Sequence, residues 1–341
     1  MNNSLIICII FALVHSYICE RLNLGYDIEN NDIENNDEQC NTKCNADYSY
    51  LSTPGDFKIS TEDREYLPFD NNCEKTLNEP FMFVQAADIQ FGMQERWFHD
   101  RIGWAKEIKQ AKQLVADVNG MNPRPKFIVM CGDLIHAWPS FPNLSEQQRV
   151  TFKKIFSGLE VPLVCVVGNH DIGNTPNNET ILTWKKNFGD DYFSFWANGV
   201  FFIVINSSFF KDPTDAKELA AEQDKWLEIQ LKVVRTEKPK HAVMFQHIPW
   251  FMVIHDEDND YHNIDKVLRK RTLDRVYDAG IRYVFAGHWH RNSVGLYKDL
   301  EHVVTSAAGV QLGDVMSGYR VVKVMEDKIE HEYHTLGNPP Q

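Results

Sequence analysis

The sequence has little positive charge for its length: 35 lysines and arginines stand against 48 aspartates and glutamates, a formal net charge of −13. No stripe of basic residues interrupts this excess of acid. The balance argues against a nucleic acid as ligand, because binding to that backbone needs a clustered basic surface. It leaves a phosphorylated substrate open, since local cations can reverse the field of a site.

Long apolar runs are also scarce. The run from Leu5 to Val14 is too short to span a bilayer and has the length of a signal-peptide core. Residues 1–19 are therefore predicted to be a signal peptide, cut after Ser16 or Cys19; a buried terminal strand or an uncleaved anchor is the alternative. With no second such run and no lipid-anchor tail, we expect a secreted or lumenal protein without a stable membrane anchor, or a cytoplasmic one if no signal operates.

Cysteine is sparse, with seven in the chain. Cys40, Cys44 and Cys73 lie in the polar N-terminal segment, where an exported protein can form a disulfide. Zinc is not expected there, because no second pair of cysteines or histidines lies nearby. Cys131 and Cys165 fall in apolar, strand-like runs and are expected to be buried thiols.

Three Asn-X-Ser/Thr sequences match the acceptor pattern for N-glycosylation. Those at Asn143 and Asn178 lie in polar loops or helix starts, where an exported protein can use them. Asn206 ends the strongly apolar run VFFIVIN and is expected to be too enclosed.

The chain divides into two regions of different composition. Residues 20–79 contain the acidic, amide-rich repeat DIENNDIENND and are predicted to form a largely disordered extension. In residues 80–341, short apolar runs such as FMFVQAA, FIVMC, LVCVV and VFFIVI alternate with amphipathic stretches at Trp104–Val118, Ala216–Arg235 and Ile264–Ala279. This alternation predicts α/β layering with sheets buried on both faces. The last stretch predicts several strands without helices, and so a second sheet of antiparallel character.

Metal-binding side chains follow five of the predicted strands. Because ligands collect at the carboxyl ends of strands in layered α/β folds, these side chains are expected to meet. The GHWH motif contributes two histidines one residue apart, which project to the same side of an extended backbone. Two cations held about 3.5–4 Å apart by such groups acidify a bridging water and clamp the oxygens of a phosphoryl group. The residues at the strand ends are Asp88, Gln90, Asp133, Asn169, His170, Asp171, His247, His288 and His290.

The set D-x-Q, GD, GNHD, a strand-end histidine and GHxH resembles the calcineurin-like metallophosphoesterase superfamily from Phe81 to the end of the chain. Longer stretches, including GDLIHA, GNHDIGNTP and GDDYFSFW, resemble the calcineurin-like phosphoesterase domain-containing protein 1 group, known as a serine/threonine protein phosphatase. The resemblance implies an α/β fold, a four-layer α/β/β/α sandwich. It also implies hydrolysis of a phosphorylated protein or small phosphoester with two divalent ions, Mn²⁺ or Mg²⁺ being favoured over Fe or Zn. No feature of the sequence indicates an oligomeric state.

The resemblance also implies a role for each residue of the motifs. Asp133 would bridge both ions, and His170 would protonate the leaving oxygen, with its ring oriented by Asp171. Asp88, Gln90 and His290 would bind the first ion, and Asn169, His247 and His288 would bind the second.

Two positions depart from relatives of the superfamily. Most members have histidine where this chain has Gln90, and a carboxamide is a poorer donor than imidazole. We therefore expect the first ion to be held more loosely or to be a harder ion, and activity to depend on added Mn²⁺ or Mg²⁺. A purple acid phosphatase would need tyrosine at the position of His136, so no obligatory ferric ion is expected.

Substrate contacts are predicted close to the motifs. Arg291 and Asn292, directly after GHWH, are candidate contacts for substrate oxyanions, and a surface cation in a loop is the alternative for Arg291. His136 either faces the cleft as a phosphate contact or lies on the surface at a helix start. The acidic run at 255–261 is typical of a solvated loop, but at the rim of the cleft it would disfavour acidic peptides.

Two other functions stay open at this point. A phosphodiesterase acting on nucleotides or lipid headgroups uses the metals in the same way as a phosphomonoesterase. A non-catalytic binding scaffold is less favoured, because this chain retains His170, Asp133 and both GHxH histidines.

Overall fold

A computed structural model of the chain describes residues 56–340, so the predicted signal peptide (1–19) and the acidic repeat (27–37) lie outside the described residues. No helix of the described part is long and apolar enough to cross a membrane. The strands of this part are β1 (Thr61–Glu62), β2 (Glu65–Tyr66), β3 (Phe81–Ala86), β4 (Ile128–Cys131), β5 (Leu163–Val166), β6 (Phe193–Ala197), β7 (Val200–Val204), β8 (His241–Phe245), β9 (Tyr283–Ala286), β10 (Ser293–Tyr297), β11 (Leu300–Val304), β12 (Gly318–Val324) and β13 (Ile329–Thr335).

Helices separate most of these strands. The three long helices expected from the amphipathic stretches are present, with ends shifted by two residues or fewer. The helices of the described part are α1 (Asn71–Thr76), α2 (Met93–His99), α3 (Ala105–Gly120), α4 (Pro142–Phe156), α5 (Asn169–Ile172), α6 (Asn178–Phe188), α7 (Ser208–Lys211), α8 (Lys217–Glu237) and α9 (Lys266–Ala279).

The strands form two mixed sheets. One has five strands in the order β13-β12-β3-β4-β5, and the other has eight in the order β1-β2-β6-β7-β8-β9-β11-β10. Neighbouring strands are parallel in the run β3-β4-β5 of the first sheet and in the run β7-β8-β9-β11 of the second. The carboxyl ends of these parallel strands therefore lie at one edge of each sheet, where ligands of α/β folds collect.

Alternating strand residues build three separate hydrophobic layers, since successive side chains point to opposite faces of a sheet. Phe83 of β3 packs between the two sheets, whereas its neighbour Val84 packs with helices α3, α4 and α6. In the same way Phe202 of β7 faces the first sheet and Ile203 packs with α8 and α9. The order of layers is helix, sheet, sheet, helix, which confirms the predicted four-layer α/β sandwich.

The C-terminal strands correct one expectation. They do not form a separate antiparallel sheet, because β10 and β11 extend the eight-stranded sheet while β12 and β13 extend the five-stranded one. Strand β11 pairs in parallel with β9, and β12 pairs antiparallel to β3. Each pair covers an edge of a strand that would otherwise be exposed.

The predicted boundary near residue 80 also has to be corrected. Residues 56–79 are folded, because β2 joins β6 through Glu65 and Ser194, and the ring of Tyr66 packs between the sheets. The low average hydrophobicity of this segment predicts disorder, but a few buried aromatic side chains, including Tyr66 and Phe69, attach it to the core between the sheets. The part of the predicted extension before residue 56 lies outside the described residues.

Three cysteines and one asparagine of the acceptor sequences are buried in the described part of the chain. Cys131 and Cys165 are buried thiols, as predicted. Cys73 is buried in α1 rather than displayed in a polar tail. Asn206 is completely buried, which confirms that this acceptor sequence is enclosed, whereas Asn143 and Asn178 are exposed.

Candidate metal centre

Five of the predicted ligands lie in strained backbone directly after a strand. Asp88 and Gln90 after β3, Asp133 after β4, and His288 and His290 after β9 all have positive φ, between 45° and 70°. This left-handed conformation is unfavourable for non-glycine residues and persists at functional sites, where the surroundings enforce it. The two GHWH histidines therefore do not project from extended backbone as predicted; β9 has ended before them, and the left-handed turns direct them inward.

One group of donors meets on one side of the Asp133 carboxylate. Nε2 of His247 lies 3.2 Å from Oδ1 of Asp133 and 3.0 Å from Oδ1 of Asn169. Nδ1 of His288 lies 3.2 Å from the same His247 nitrogen. The carbonyl oxygen of Cys131 accepts a hydrogen bond from Nδ1 of His247 at 2.8 Å, so Nε2 is left as the ligating atom. These are the side chains predicted for the second ion.

The donors predicted for the first ion form a second group. Nε2 of His290 lies 3.3 Å from Oδ1 of Asp88, and both side chains are buried. Nδ1 of His290 donates to the carbonyl oxygen of Val310 at 2.6 Å, which again leaves Nε2 for a ligand. The other oxygen of Asp88 accepts the backbone N–H of His288 at 2.9 Å, so one carboxylate links β3 to the GHWH loop.

The carboxylate of Asp133 lies between the two groups. Its Oδ2 accepts from Nε2 of Gln90 at 3.4 Å, while its Oδ1 faces His247 and accepts the backbone N–H of His170 at 2.9 Å. Gly168 makes this approach possible, because a Cβ at that position would lie 2.1 Å from the backbone nitrogen of Asp133. A carboxylate with one oxygen toward each group has the geometry of a bridge between two ions.

The donor set fits a pair of divalent cations. Oε1 of Gln90 and Nε2 of His288 are buried and have no hydrogen-bond partner among the described residues. The ligating atoms of Asp133, His247 and His288 all lie within 4.8 Å of one another. Burial by itself would lower the pKa of His247, but the Asp133 carboxylate raises this pKa to about 9. The carboxylates of the cluster therefore stabilise a positive charge next to them, which a metal ion would supply in place of the proton on His247.

The ring of His170 lies at the floor of the cleft beside these donors. Its centroid is 3.9 Å from that of Trp138 and 4.9 Å from that of His136, both in stacked orientation. Nδ1 of His170 donates to the carbonyl oxygen of His136 at 2.7 Å. The tautomer is thereby set, and Nε2 is the ring nitrogen left for a substrate.

The predicted role of Asp171 has to be corrected. Its two carboxylate oxygens accept the backbone N–H groups of Leu134, at 3.1 Å, and of Gly168, at 2.8 Å. The ring of His170 is instead held by the carbonyl oxygen of His136. Asp171 joins the loops that follow β4 and β5, and so acts on the backbone around His170 rather than on its imidazole.

The amide of Asn169 is oriented by two partners that the sequence did not reveal. Its Nδ2 donates to Oδ1 of Asn174 at 2.8 Å and to the hydroxyl oxygen of Tyr261 at 3.1 Å. Both amide hydrogens are therefore directed away from the cluster, and Oδ1 faces His247. The ring of Tyr261 also lies 5.2 Å from that of His288.

A cleft of about 800 Å³ opens above the centre, and its walls include residues that sequence reasoning missed. The wall formed by α2 could have been found from the sequence. This helix begins three residues after Gln90, so its first turns must lie near the same edge of the sheet. Tyr261 ends the acidic run at 255–261 and His262 follows it, which places that end of the run at the rim. The lining residues are Gln90, Met93, Arg96, Trp97, Asp100, Asp133, His136, Trp138, His170, Tyr261, His262, His288, His290 and Leu312.

The three predicted substrate contacts have different positions. His136 lines the cleft, and burial lowers its pKa to about 4, so its ring is neutral near pH 7. Oδ1 of Asn292 accepts from the backbone of Ser306 and from Arg320, which gives it a structural position instead. The guanidinium of Arg291 donates to the carbonyl oxygen of Leu312 at 2.7 Å on the exposed side of the loop. Arg96, rather than Arg291, is the arginine among the cleft-lining residues.

Known proteins resemble this chain both in sequence and in structure. Residues 81–292 match the family model described as calcineurin-like phosphoesterase. The serine/threonine-protein phosphatase CPPED1 of Mus musculus is 44% identical over 275 residues, which are 79% of this chain and 88% of the relative. The Danio rerio protein of the same name is 42% identical over 288 residues, 82% of this chain and 92% of the relative.

Two solved structures share the fold at low sequence identity. A dimetal phosphatase from Danio rerio superimposes with a TM-score of 0.57 at 13% identity, covering 76% of this chain and 98% of the other. The purple acid phosphatase PPD1 of yellow lupin gives a TM-score of 0.56 at 14% identity, covering 77% and 52%. The fold, the clustered donors and the matched family model agree. The chain belongs to the calcineurin-like phosphoesterase family and is a metal-dependent phosphoester hydrolase.

Proposed function

We propose that this protein is a phosphomonoesterase that removes phosphate from phosphoserine and phosphothreonine in proteins. The alignments with the two relatives named serine/threonine-protein phosphatase cover 88% and 92% of the length of those relatives. The observation that carries the proposal is the convergence of buried donors from five strand ends on both sides of Asp133, with His170 beside them at the floor of an open cleft.

Each donor group is assigned to one ion. A pair of divalent ions, Mn²⁺ or Mg²⁺, supplies a nucleophile of lowered pKa and neutralises the charge of the phosphoryl oxygens. Asp133 would hold both ions, because its two oxygens face opposite groups. Asp88, Gln90 and His290 would hold the first ion, and Asn169, His247 and His288 would hold the second.

His170 is assigned as the general acid for the leaving oxygen. Its Nδ1–H is committed to the carbonyl oxygen of His136, so only Nε2 is left to carry a proton to the substrate. The backbone N–H of His170 donates to the Asp133 carboxylate, which keeps the ring at a fixed position relative to the bridge. The serine or threonine oxygen of the product takes this proton as its bond to phosphorus breaks.

The test compares phosphoserine peptides with a phosphodiester, bis(p-nitrophenyl) phosphate, with and without Mn²⁺. We expect Mn²⁺-dependent turnover of the peptides and slow turnover of the diester. His170→Asn should lower kcat about 10²- to 10⁴-fold while the metal content stays unchanged. Faster hydrolysis of the diester would favour a phosphodiesterase. Absence of turnover in the metal-loaded wild-type protein would favour a binding scaffold.

We further propose that residues 1–19 are a cleavable signal peptide and that the mature protein is secreted or lumenal. The apolar stretch from Leu5 to Val14 supports this, together with the exposed acceptor sequences at Asn143 and Asn178. Sequencing the amino terminus of the protein from an expressing cell tests it. An amino terminus at Met1, without an attached glycan at either asparagine, would contradict the proposal.

A further inference from the structure

The cleft has an aromatic wall on the side of the leaving group. Since His170 protonates the leaving oxygen, the alcohol part of the substrate must lie next to this ring. Trp138 stacks on His170 at 3.9 Å between centroids, and it lines the cleft. The part of the substrate that carries the phosphorylated oxygen would therefore lie next to the indole of Trp138.

Helix α2 continues this wall. The backbone N–H of His136, whose ring also stacks with His170, donates to the carbonyl oxygen of Phe91, just before α2, at 3.2 Å. Trp97 of α2 lines the cleft although 62% of its surface is exposed. A large exposed indole at the edge of an active cleft is typical of a surface that a partner covers.

The wall is held in a defined position. The carboxylate of Glu107, which is buried in α3, accepts the backbone N–H of Gln94 in the first turn of α2 at 2.7 Å. Arg101, just after α2, pairs with Glu95 at 2.8 Å. Trp97 is thus presented on a fixed helix, which lowers the entropy lost when a ligand contacts it.

The charges around the cleft disfavour polyanionic substrates. Arg96 is the one lysine or arginine among the described residues that line the cleft, and its guanidinium pairs with Asp100. The loop that leads to the cleft-lining residues Tyr261 and His262 carries the exposed carboxylates of Asp256, Asp258 and Asp260. Beyond the proposed pair of metal ions, the described lining offers no unpaired lysine or arginine for the further phosphate groups of a nucleotide polyphosphate.

We propose that the cleft binds an extended phosphopeptide segment with an apolar residue close to the phosphorylated one, seated on Trp97 and Trp138. This inference rests on the proposed phosphoprotein phosphatase function and names the kind of sequence that it recognises. An apolar side chain over the two indoles removes their surface from water. Flanking residues without negative charge also avoid repulsion from the exposed carboxylates of the loop before Tyr261.

The test uses two phosphoserine peptides that differ only in the neighbouring residues, leucine in one and serine in the other. We expect the wild-type protein to favour the leucine peptide about tenfold in kcat/KM. Trp97→Ala should reduce this ratio to near one, mainly through KM. Phe98→Ala is the matched control, because Phe98 is the next residue of α2 and 54% exposed, but it is not among the cleft-lining residues.

Each outcome separates this inference from the function on which it rests. Equal rates on the two peptides with the wild-type protein would overturn the inference and leave the phosphatase function intact. So would an equal loss of preference in Trp97→Ala and Phe98→Ala. If neither peptide is hydrolysed while bis(p-nitrophenyl) phosphate is, the proposed function fails and the inference fails with it.

Discussion

The hydroxyl of Tyr261 should control how tightly the second metal ion is held. It accepts a hydrogen bond from Nδ2 of Asn169 at 3.1 Å, and Asn174 accepts the other at 2.8 Å. Together they direct the amide oxygen of Asn169 toward His247 and the site of the ion. Tyr261→Phe removes one of these two supports and leaves the ring near His288 in place.

The size of the effect follows mainly from the neutral hydrogen bond between Asn169 and Tyr261, because the bond that the hydroxyl donates to Oδ1 of Asn174 is long, at 3.4 Å. Such a bond contributes about 1 kcal/mol, which corresponds to about a fivefold change in affinity. Losing a residue that orients a metal ligand typically weakens binding about 10- to 100-fold. We therefore expect a loss of about 5- to 10-fold in Mn²⁺ affinity for Tyr261→Phe. Removing both supports with Asn174→Ala in addition should weaken binding by up to about 100-fold.

Calorimetric titration of the metal-free protein with Mn²⁺ measures this directly, and activity at saturating Mn²⁺ should recover most of the wild-type kcat. Tyr297→Phe is the matched control, because the hydroxyl of Tyr297 bonds to Asp274 on α9 and has no contact with a predicted ligand. If Tyr261→Phe and Tyr297→Phe both bind Mn²⁺ like the wild type, the proposed orientation of Asn169 is wrong.

Three more predictions follow from the same structure. Gln90→His should bind the first ion more tightly and keep more activity after dialysis; full activity of dialysed wild-type protein and no change in the variant would contradict this. Phosphopeptides with basic flanking residues should react faster than acidic ones, because exposed aspartates lie in the loop that leads to the cleft-lining Tyr261; equal rates would contradict this. Burial lowers the pKa of His302 to about 3, against about 6.5 in the unfolded chain, so the unfolded state binds the extra proton between these values. His302 should therefore contribute a fall of about 1.4 kcal/mol per pH unit in the free energy of unfolding below pH 6, and His302→Gln should reduce the measured slope by that amount in urea titrations; identical slopes would refute the assignment.

The candidate ligands were predictable because they depend on local rules. A strand buried on both faces ends at the edge of its sheet. Polar residues directly after it therefore lie at that edge, where ligands of α/β folds bind. Asp88, Asp133 and His247 each follow such a run, and the structure brings all of them to one centre. The four-layer sandwich was implied by resemblance, and the alternation of Phe83 and Val84 between two cores explains it physically.

Other features depend on contacts between distant parts of the chain. The hydrogen bond to the His136 carbonyl that sets the tautomer of His170 depends on how two loops meet, and no residue type is required for it. For this reason Asp171, its neighbour in sequence, was the wrong choice. The segment 56–79 was likewise assigned to a disordered tail, although a few aromatic contacts and one strand pair attach it to the fold.

The sequence by itself therefore determined the alternation of buried strands with helices, the strand ends and the chemical types of the donors, since these follow from periodicity and residue chemistry along a few consecutive positions. Only the tertiary structure decided which carbonyl orients His170, which hydroxyl orients Asn169, and which wall of the cleft carries Trp97. Those are distances between residues up to two hundred positions apart in the chain, such as the 2.9 Å from the backbone of His288 to Asp88. They are set by the packing of the two sheets and their helices, which no local pattern encodes.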